Sequence, residues 1–234
     1  MRVLALDCSA KSVSVAIAEN GKLIYEAFLN ITLTHSETLM PMCEQALLNA
    51  RCNLKDIDAI AVTAGPGSFT GIRIGISAVK GMCFNDEKPV FAYSTLDAMA
   101  LAFTGDGGFN CILCGLMDAR REQFYNALLK IENGSITRLC EDRVITKNEL
   151  EAELETFKNK KIILIGDGAL LFKDLCNKKR FALAPSPFLI QRAGGIAIDA
   201  SSENRTTSPI SAEALQPIYL RKSQAERERE AKLG

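Results

Sequence analysis

Two segments of this chain follow one plan, and that repetition limits the folds open to it. In the first segment a short apolar strand, Val3–Asp7, ends in an acid. The alternating strand Ser12–Ala18 follows, and Asn20-Gly21 turns the chain into a third strand, Lys22–Phe28. In the second, Cys111–Met117 ends in Asp118, Glu122–Ile131 follows, and Asn133-Gly134 turns into Ser135–Ile145. The aspartates, at 7 and 118, stand 111 positions apart, and the Asn-Gly pairs, at 20 and 133, stand 113 apart. Asn-Gly supplies the two positive-φ positions that a tight hairpin needs. Each segment then continues alike. In the first, Thr34 and Glu37 form a capping box before Leu39, Met42, Cys43, Ala46 and Leu47, which recur at helical spacing. The apolar strand Ile57–Thr63 follows, then a glycine turn and a helix to Phe84. In the second, a helix over Lys147–Phe157 leads to the strand Lys161–Ile165, and Gly166-Asp167-Gly168-Ala169 opens another helix. Two copies of one supersecondary plan predict two lobes with a cleft between them.

Between the copies come the strand Pro89–Tyr93, a helix over Thr95–Phe103 and a linker, Thr104–Gly108, with three glycines in five residues. After the second copy the pattern predicts a helix from Pro187 to Ser202, an extended segment Pro217–Arg221 and a charged, solvated tail.

The chain of 234 residues can bury a real core. Lys plus Arg and Asp plus Glu number 28 each, so no global positive field draws in nucleic acid. The charge is uneven, however. From Lys158 to Arg192 eight basic residues face only Asp167 and Asp174, an excess that could touch phosphate or simply be a solvated surface. No apolar run approaches the ~18 residues that span a membrane, and the start is too short for a signal peptide. The eight cysteines sit mostly in apolar segments and read as reduced, buried groups. Cys111-Ile112-Leu113-Cys114 has no second pair at zinc spacing, which favours packing over a metal role.

The sharpest local signal is the run from Gly65 to Gly75, Gly-Pro-Gly-Ser-Phe-Thr-Gly-Ile-Arg-Ile-Gly. Its glycines allow a sharp strand-to-helix turn, Ser68 or Thr70 can cap the helix, and the exposed N–H groups can hold an anion. It is no Walker motif, because Gly-Lys-[Ser/Thr] is missing. Gly71, Gly75, Ser77, Ala78 and Gly81 keep the helix thin, although glycine there costs about 1 kcal/mol relative to Ala. Something must therefore come close to it: the sheet, a neighbouring helix or another chain.

That run, together with Leu4-Ala5-Leu6-Asp7, His35-Ser36-Glu37, Tyr93-Ser94-Thr95-Leu96, Asp118-Ala119-Arg120 and Pro217-Ile218-Tyr219-Leu220-Arg221, resembles the bacterial TsaB family over residues 1 to 222. These are tRNA threonylcarbamoyladenosine biosynthesis proteins, formerly called glycoprotease-like. The resemblance implies an α/β chain with the two-lobed actin-like ATPase (ribonuclease H-like) fold, each lobe a mixed sheet with helices. The lobes would be 1–105 and 106–222, with the tail at 223–234. It implies a cytoplasmic, non-catalytic scaffold that dimerises with the catalytic subunit TsaD, is joined by the ATPase TsaE, reaches tRNA only through that complex and forms a homodimer alone. The alternative is a degenerate ATP-binding enzyme, or a glycoprotease-like peptidase, acting by itself.

In the actin-like superfamily each lobe offers a hairpin to nucleotide phosphates, usually with Gly beside the Asp. Here the hairpins read Asp7-Cys8-Ser9-Ala10 and Asp118-Ala119-Arg120-Arg121, without glycine. Asp7, Ser9, Gly65, Gly67, Ser68 and Asp118 are therefore expected to form at most a vestigial nucleotide or anion site, with no cofactor and no metal. The catalytic relative carries a His-x-x-x-His metal pair where Thr95 and Met99 stand. This chain has one histidine, His35, so no di-histidine site can form within it. The expected interface comprises His35, Leu39, Met42, Gly71, Gly75 and Ile76, and no residue is expected to be catalytic.

Overall fold

The computed structural model describes residues 1–31, 34–105, 109–176 and 178–221. The charged tail expected at 223–234 and part of the glycine linker lie outside the described residues. The first sheet has the order β3-β2-β1-β4-β5. Its strands are β1 (Arg2–Asp7), β2 (Val13–Glu19), β3 (Lys22–Leu29), β4 (Ala59–Gly65) and β5 (Val90–Ser94). β1 and β2 pair antiparallel from Arg2 opposite Glu19 to Asp7 opposite Ser14, while β4 runs parallel to β1 and β5. Every residue of β4 is buried, as expected of a parallel strand covered on both faces.

The second sheet repeats the order. It contains β6 (Cys111–Asp118), β7 (Gln123–Glu132), β8 (Ser135–Arg138), β9 (Arg143–Thr146), β10 (Ile162–Ile165) and β11 (Phe181–Leu183). They lie β11-β10-β6-β7-β8, with β9 also on β7. The first sheet runs 3-2-1-4-5 and the second 3-2-1-5-6 in its own strand sequence, the same order once β8 and β9, which both pair with β7, count as one, and this places the duplicated aspartates at equivalent strand ends.

Helices cover both faces of each sheet. α1 (His35–Asn49) and α2 (Phe69–Met82) pack on one face of the first sheet around Leu4, Leu6, Val15, Leu39, Ile72 and Val79. α3 (Thr95–Leu101) wedges between the lobes and touches both sheets. α4 (Lys147–Leu154) and α5 (Ala169–Cys176) cover the far face of the second sheet, where Phe124 meets Phe172 edge-on at 5.5 Å.

Three expectations differ from the structure. The strand Ser135–Ile145 is two strands, because the chain leaves β7 to contact α3. Arg138 donates to Asp97 (3.0 Å) and Asp142 (2.6 Å), and the Ser94 hydroxyl donates to Asp142 (2.6 Å). The helix Pro187–Ser202 is a single turn, α6 (Ser186–Leu189), a break, and α7 (Gly194–Ser201). Gly194 donates its N–H to the Glu26 carboxylate (2.9 Å), and Gly195 lies against Leu101 and Ala98 of α3. Strand β11 carried too few residues to register as a pattern. Finally, α7 packs on β1, β2 and β3, not on the second sheet, and Leu215 is fully buried in the first core. The segment 194–219 therefore returns to the first lobe before Leu220 and Arg221 reach the second, although the division at 105/106 separates the two sheets in sequence.

Candidate functional site

The C-terminal ends of β1, β4, β6 and β10 converge on a cleft of about 700 Å³ between the lobes. Ser9, Lys11, His35, Gly67, Ser68, Asp118, Arg120, Asp167 and Arg221 are among its walls. The cleft brings Ser9, Gly67, Ser68 and Asp118 onto its walls, whereas Asp7 and Gly65 are not among its lining residues.

The first hairpin is closed from within. Asp7 is 1% exposed, and its Oδ1 accepts the Ser9 N–H (2.9 Å) and hydroxyl (2.6 Å). Its Oδ2 and the Thr63 hydroxyl, both buried, make no hydrogen bond of ordinary geometry among the described residues, but Thr63 lies close enough to pull the carboxyl down as well. Burial pushes the Asp7 carboxyl above its ordinary range, against the pull of the two Ser9 bonds. Ser68 donates its N–H to the Ser9 carbonyl (2.7 Å), and Ser68 Oγ caps α2 by accepting from the Gly71 N–H (3.2 Å). The Ser9 and Cys8 carbonyls lie where a Cβ on Gly67 or Gly71 would stand. The N-cap residue of α2 is thus tied to the hairpin's own carbonyl, while Gly67, Ser68 and Phe69 still line the cleft.

The second hairpin turns without glycine. Arg120, Arg121 and Glu122 have φ values of 67°, 56° and 55°, three successive side chains in the left-handed region. Asp118 Oδ1 accepts the Arg120 N–H at 2.7 Å, which makes the aspartate a turn cap. Behind it Asp167 is held above its ordinary range by burial, with the neighbouring Asp118 charge adding to the effect and the Gln191 amide (3.4 Å) opposing it.

The expected interface residues separate. His35 and Leu39 line an open groove of about 580 Å³ between α1 and α2, with Ser36, Met40, Thr70, Arg73, Ile74, Ser77 and Ala78. Met42 and Ile76 instead point into the first core, and Gly71 and Gly75 face Cys8. The thin face of α2 thus lets the helix approach β1. Sequence periodicity alone could not tell that inward face from an outward one. His35 borders both groove and cleft, and its Nε2 lies 3.1 Å from the Ser12 carbonyl. Thr95 and Met99 are buried, and Met99 lies against Gly166 in the packing between the lobes. Among the described residues no cluster of three or more His, Cys, Asp or Glu could hold a metal.

Sequence reading gave Pro217–Arg221 as an extended segment but not its role as a strap across the cleft. Ile218 donates its N–H to the Ala64 carbonyl (2.7 Å), and Tyr219 stacks on Phe69 (centroids 4.6 Å apart) and meets Arg73 Nε (2.7 Å). Arg221 then donates to the Ala119 carbonyl across the cleft (2.6 Å). The signal for it was Pro217-Ile218-Tyr219-Leu220-Arg221, an apolar-aromatic run in an otherwise polar C-terminus.

Two sheets of equivalent topology with acid-tipped hairpins facing one cleft define a two-lobed protein of the actin-like ATPase fold. The chain belongs to the TsaB family. The family model described as TsaD, tRNA N6-adenosine threonylcarbamoyltransferase, matches residues 31–228. The tRNA threonylcarbamoyladenosine biosynthesis protein TsaB of Escherichia coli is 29% identical over 228 residues, 96% of each chain. That of Buchnera aphidicola is 31% identical over 166 residues, 71% of this chain and 78% of its own. The solved structure of YeaZ from Pseudomonas aeruginosa superposes with a TM-score of 0.78 at 27% identity, covering 94% of this chain and 99% of that one. Among the described residues no helix is long and apolar enough to cross a membrane.

Proposed function

We propose that this chain is a non-catalytic subunit of the machinery that adds threonylcarbamoyl to the adenosine next to the tRNA anticodon. In this reading it pairs with the catalytic subunit TsaD, carries no cofactor of its own and works with the ATPase TsaE. The observation that carries the reading is the closed first hairpin. The Ser68 N–H, a backbone donor that a phosphate could use, is bound to the Ser9 carbonyl, and Gly67 and Gly71 pack directly on the hairpin backbone. The burial of Thr95 and Met99 in the packing between the lobes supports it.

The groove between α1 and α2 is the proposed seat of TsaD, and of a second copy when TsaD is absent. Its small members Ser77 and Ala78 and its exposed Met40 leave room for an incoming helix. The decisive experiment mixes the chain with TsaD and TsaE from the same organism and measures tRNA modification with each component omitted. Modification should require this chain, Ala78→Arg should abolish both co-elution with TsaD and modification, and Asp7→Asn should leave modification intact. Full activity without this chain, or loss of activity with Asp7→Asn, refutes the reading.

The open cleft, with Asp118 and Asp167 on its walls, favours a second reading, an ATP-binding enzyme acting alone. Calorimetry with ATP and Mg²⁺ decides: micromolar binding with turnover by the purified chain would establish it.

A further inference from the structure

The basic excess between Lys158 and Arg192 gathers at one corner of the second lobe. β10 and β11 run parallel, with Ile162 opposite Phe181, so Lys160 and Lys161 precede one strand where Lys179 and Arg180 precede the other. Adjacent strands lie about 4.8 Å apart. The Lys161 carbonyl accepts the Ile112 N–H (2.8 Å), which sets it beside the start of β6. Arg180 donates to the Leu154 and Phe157 carbonyls (3.3 and 3.2 Å), drawing the end of α4, and Lys158 just after it, to the same corner.

Three acids near this corner are already engaged, while the exposed Asp174 of α5 forms no ion pair among the described residues. Glu155 is held by Lys178 and Arg180, Glu151 by Lys147 and Lys178, and Glu132 by Lys130. Lys158, Lys160, Lys161 and Lys179 are all exposed, and none forms an ion pair among the described residues. A chain with equal numbers of cations and anions thus holds a row of four lysines without a direct ion pair, of which Lys160 lies near enough to Glu132 to help hold that carboxyl below its ordinary range. The row sits at the N-terminal ends of β6, β10 and β11, the end of the sheet opposite the cleft, and on the other lobe from the α1–α2 groove.

We infer that this corner is a docking surface for an RNA phosphate backbone, giving the chain a direct contact with the tRNA. Its chemistry fits a polynucleotide best. Lysine is depleted at the cores of protein interfaces, and Lys158-Asn159-Lys160-Lys161 presents no apolar side chain to anchor in lipid. Phosphate contacts of this kind carry affinity and position without reading sequence. The choice of tRNA as the RNA rests on the function proposed above.

The test is fluorescence polarisation of the full chain with a labelled tRNA transcript at 50 and 200 mM KCl. Four phosphate contacts predict a fall in affinity of about 50- to 150-fold between those salts, and one contact a fall of about 3-fold. The triple variant K160Q/K161Q/K179Q should show the small fall and weaker binding at 50 mM. The control K22Q/R51Q/K55Q, exposed cations on the first lobe, should behave as the parent chain. Absence of binding by the parent chain, equal binding by the triple variant, or binding to anionic phosphatidylglycerol vesicles in place of RNA overturns the inference. Co-elution with TsaD, measured on the same samples, separates the two readings. The triple variant should retain it, and its loss in the parent chain would strike the partner proposal without touching the RNA result.

Discussion

Replacing Gly71 by alanine should destabilise the protein, whereas the same change at Gly81 of the same helix should stabilise it. At Gly71 the Cβ would collide with the Cys8 carbonyl, so the first turn of α2 must move off the β1 end. That movement removes the Ser68 cap, about 1 kcal/mol, and the Ser68 N–H bond to the Ser9 carbonyl. Ser9 is fully buried, so its carbonyl is left unsatisfied at a cost of about 1–3 kcal/mol. Alanine returns about 1 kcal/mol of helix propensity, leaving a net loss of about 1–3 kcal/mol. At Gly81 no atom lies within 4 Å of the added methyl, so only the propensity gain of about 0.5–1 kcal/mol remains. For a chain of this size each kcal/mol moves the unfolding midpoint by about 2–4 °C. Thermal and urea unfolding followed by far-ultraviolet circular dichroism should place the two variants on opposite sides of the parent chain. A Gly71→Ala midpoint within 1 °C of the parent would refute the account of the closed hairpin.

The left-handed Arg121 (φ 56°) predicts that Arg121→Gly raises stability by about 1 kcal/mol, read as a higher urea midpoint; an unchanged or lower midpoint would show the turn is not strained there. Removing the hydroxyl that meets Arg73, Tyr219→Phe should cost about 1 kcal/mol, and Tyr219→Ala about 2 because the Phe69 stack goes as well. Equal midpoints for the two variants would assign no stability to that stack. Glu151, between Lys147 and Lys178, is lowered to about 2. Its folded value lies below the unfolded one, so its contribution is present above the ordinary carboxylate range and fades as pH falls toward 2. Glu151→Gln should therefore be less stable than the parent by about 1 kcal/mol at pH 7, the difference closing by pH 2 in parallel urea titrations.

The duplicated hairpins were legible because their signals are local: alternation, Asn-Gly turns and an acid at each strand end. The Thr34–Glu37 capping box appears as expected, the Glu37 carboxylate accepting from the Thr34 N–H at 3.2 Å. What escaped was long-range. Met42 and Ile76 have the helical spacing of a face, but which face turns inward depends on the sheet they meet. The glycines of α2 announced a close approach without naming its partner, which proved to be the Cys8 carbonyl. Gly194-Gly195 likewise looked like helix interior, and only contacts with Glu26, distant in sequence, and with α3 show why α7 begins there. Strand β11, three residues long, is too short to show a period.

The return of residues 194–219 to the first lobe also governs the order in which the chain can assemble. The first sheet is complete by Ser94, yet one of its faces carries only α3 until α7 has been synthesised, and its other core lacks Leu215 until later still. A nascent chain leaving the ribosome would hold this sheet half-covered while all of the second lobe is made. The second lobe has no such debt, since β6 to β11 with α4 and α5 form one continuous stretch. The later-synthesised lobe is therefore the one equipped to close first, and the final residues, crossing from Ala64 to Ala119, bind the two halves last.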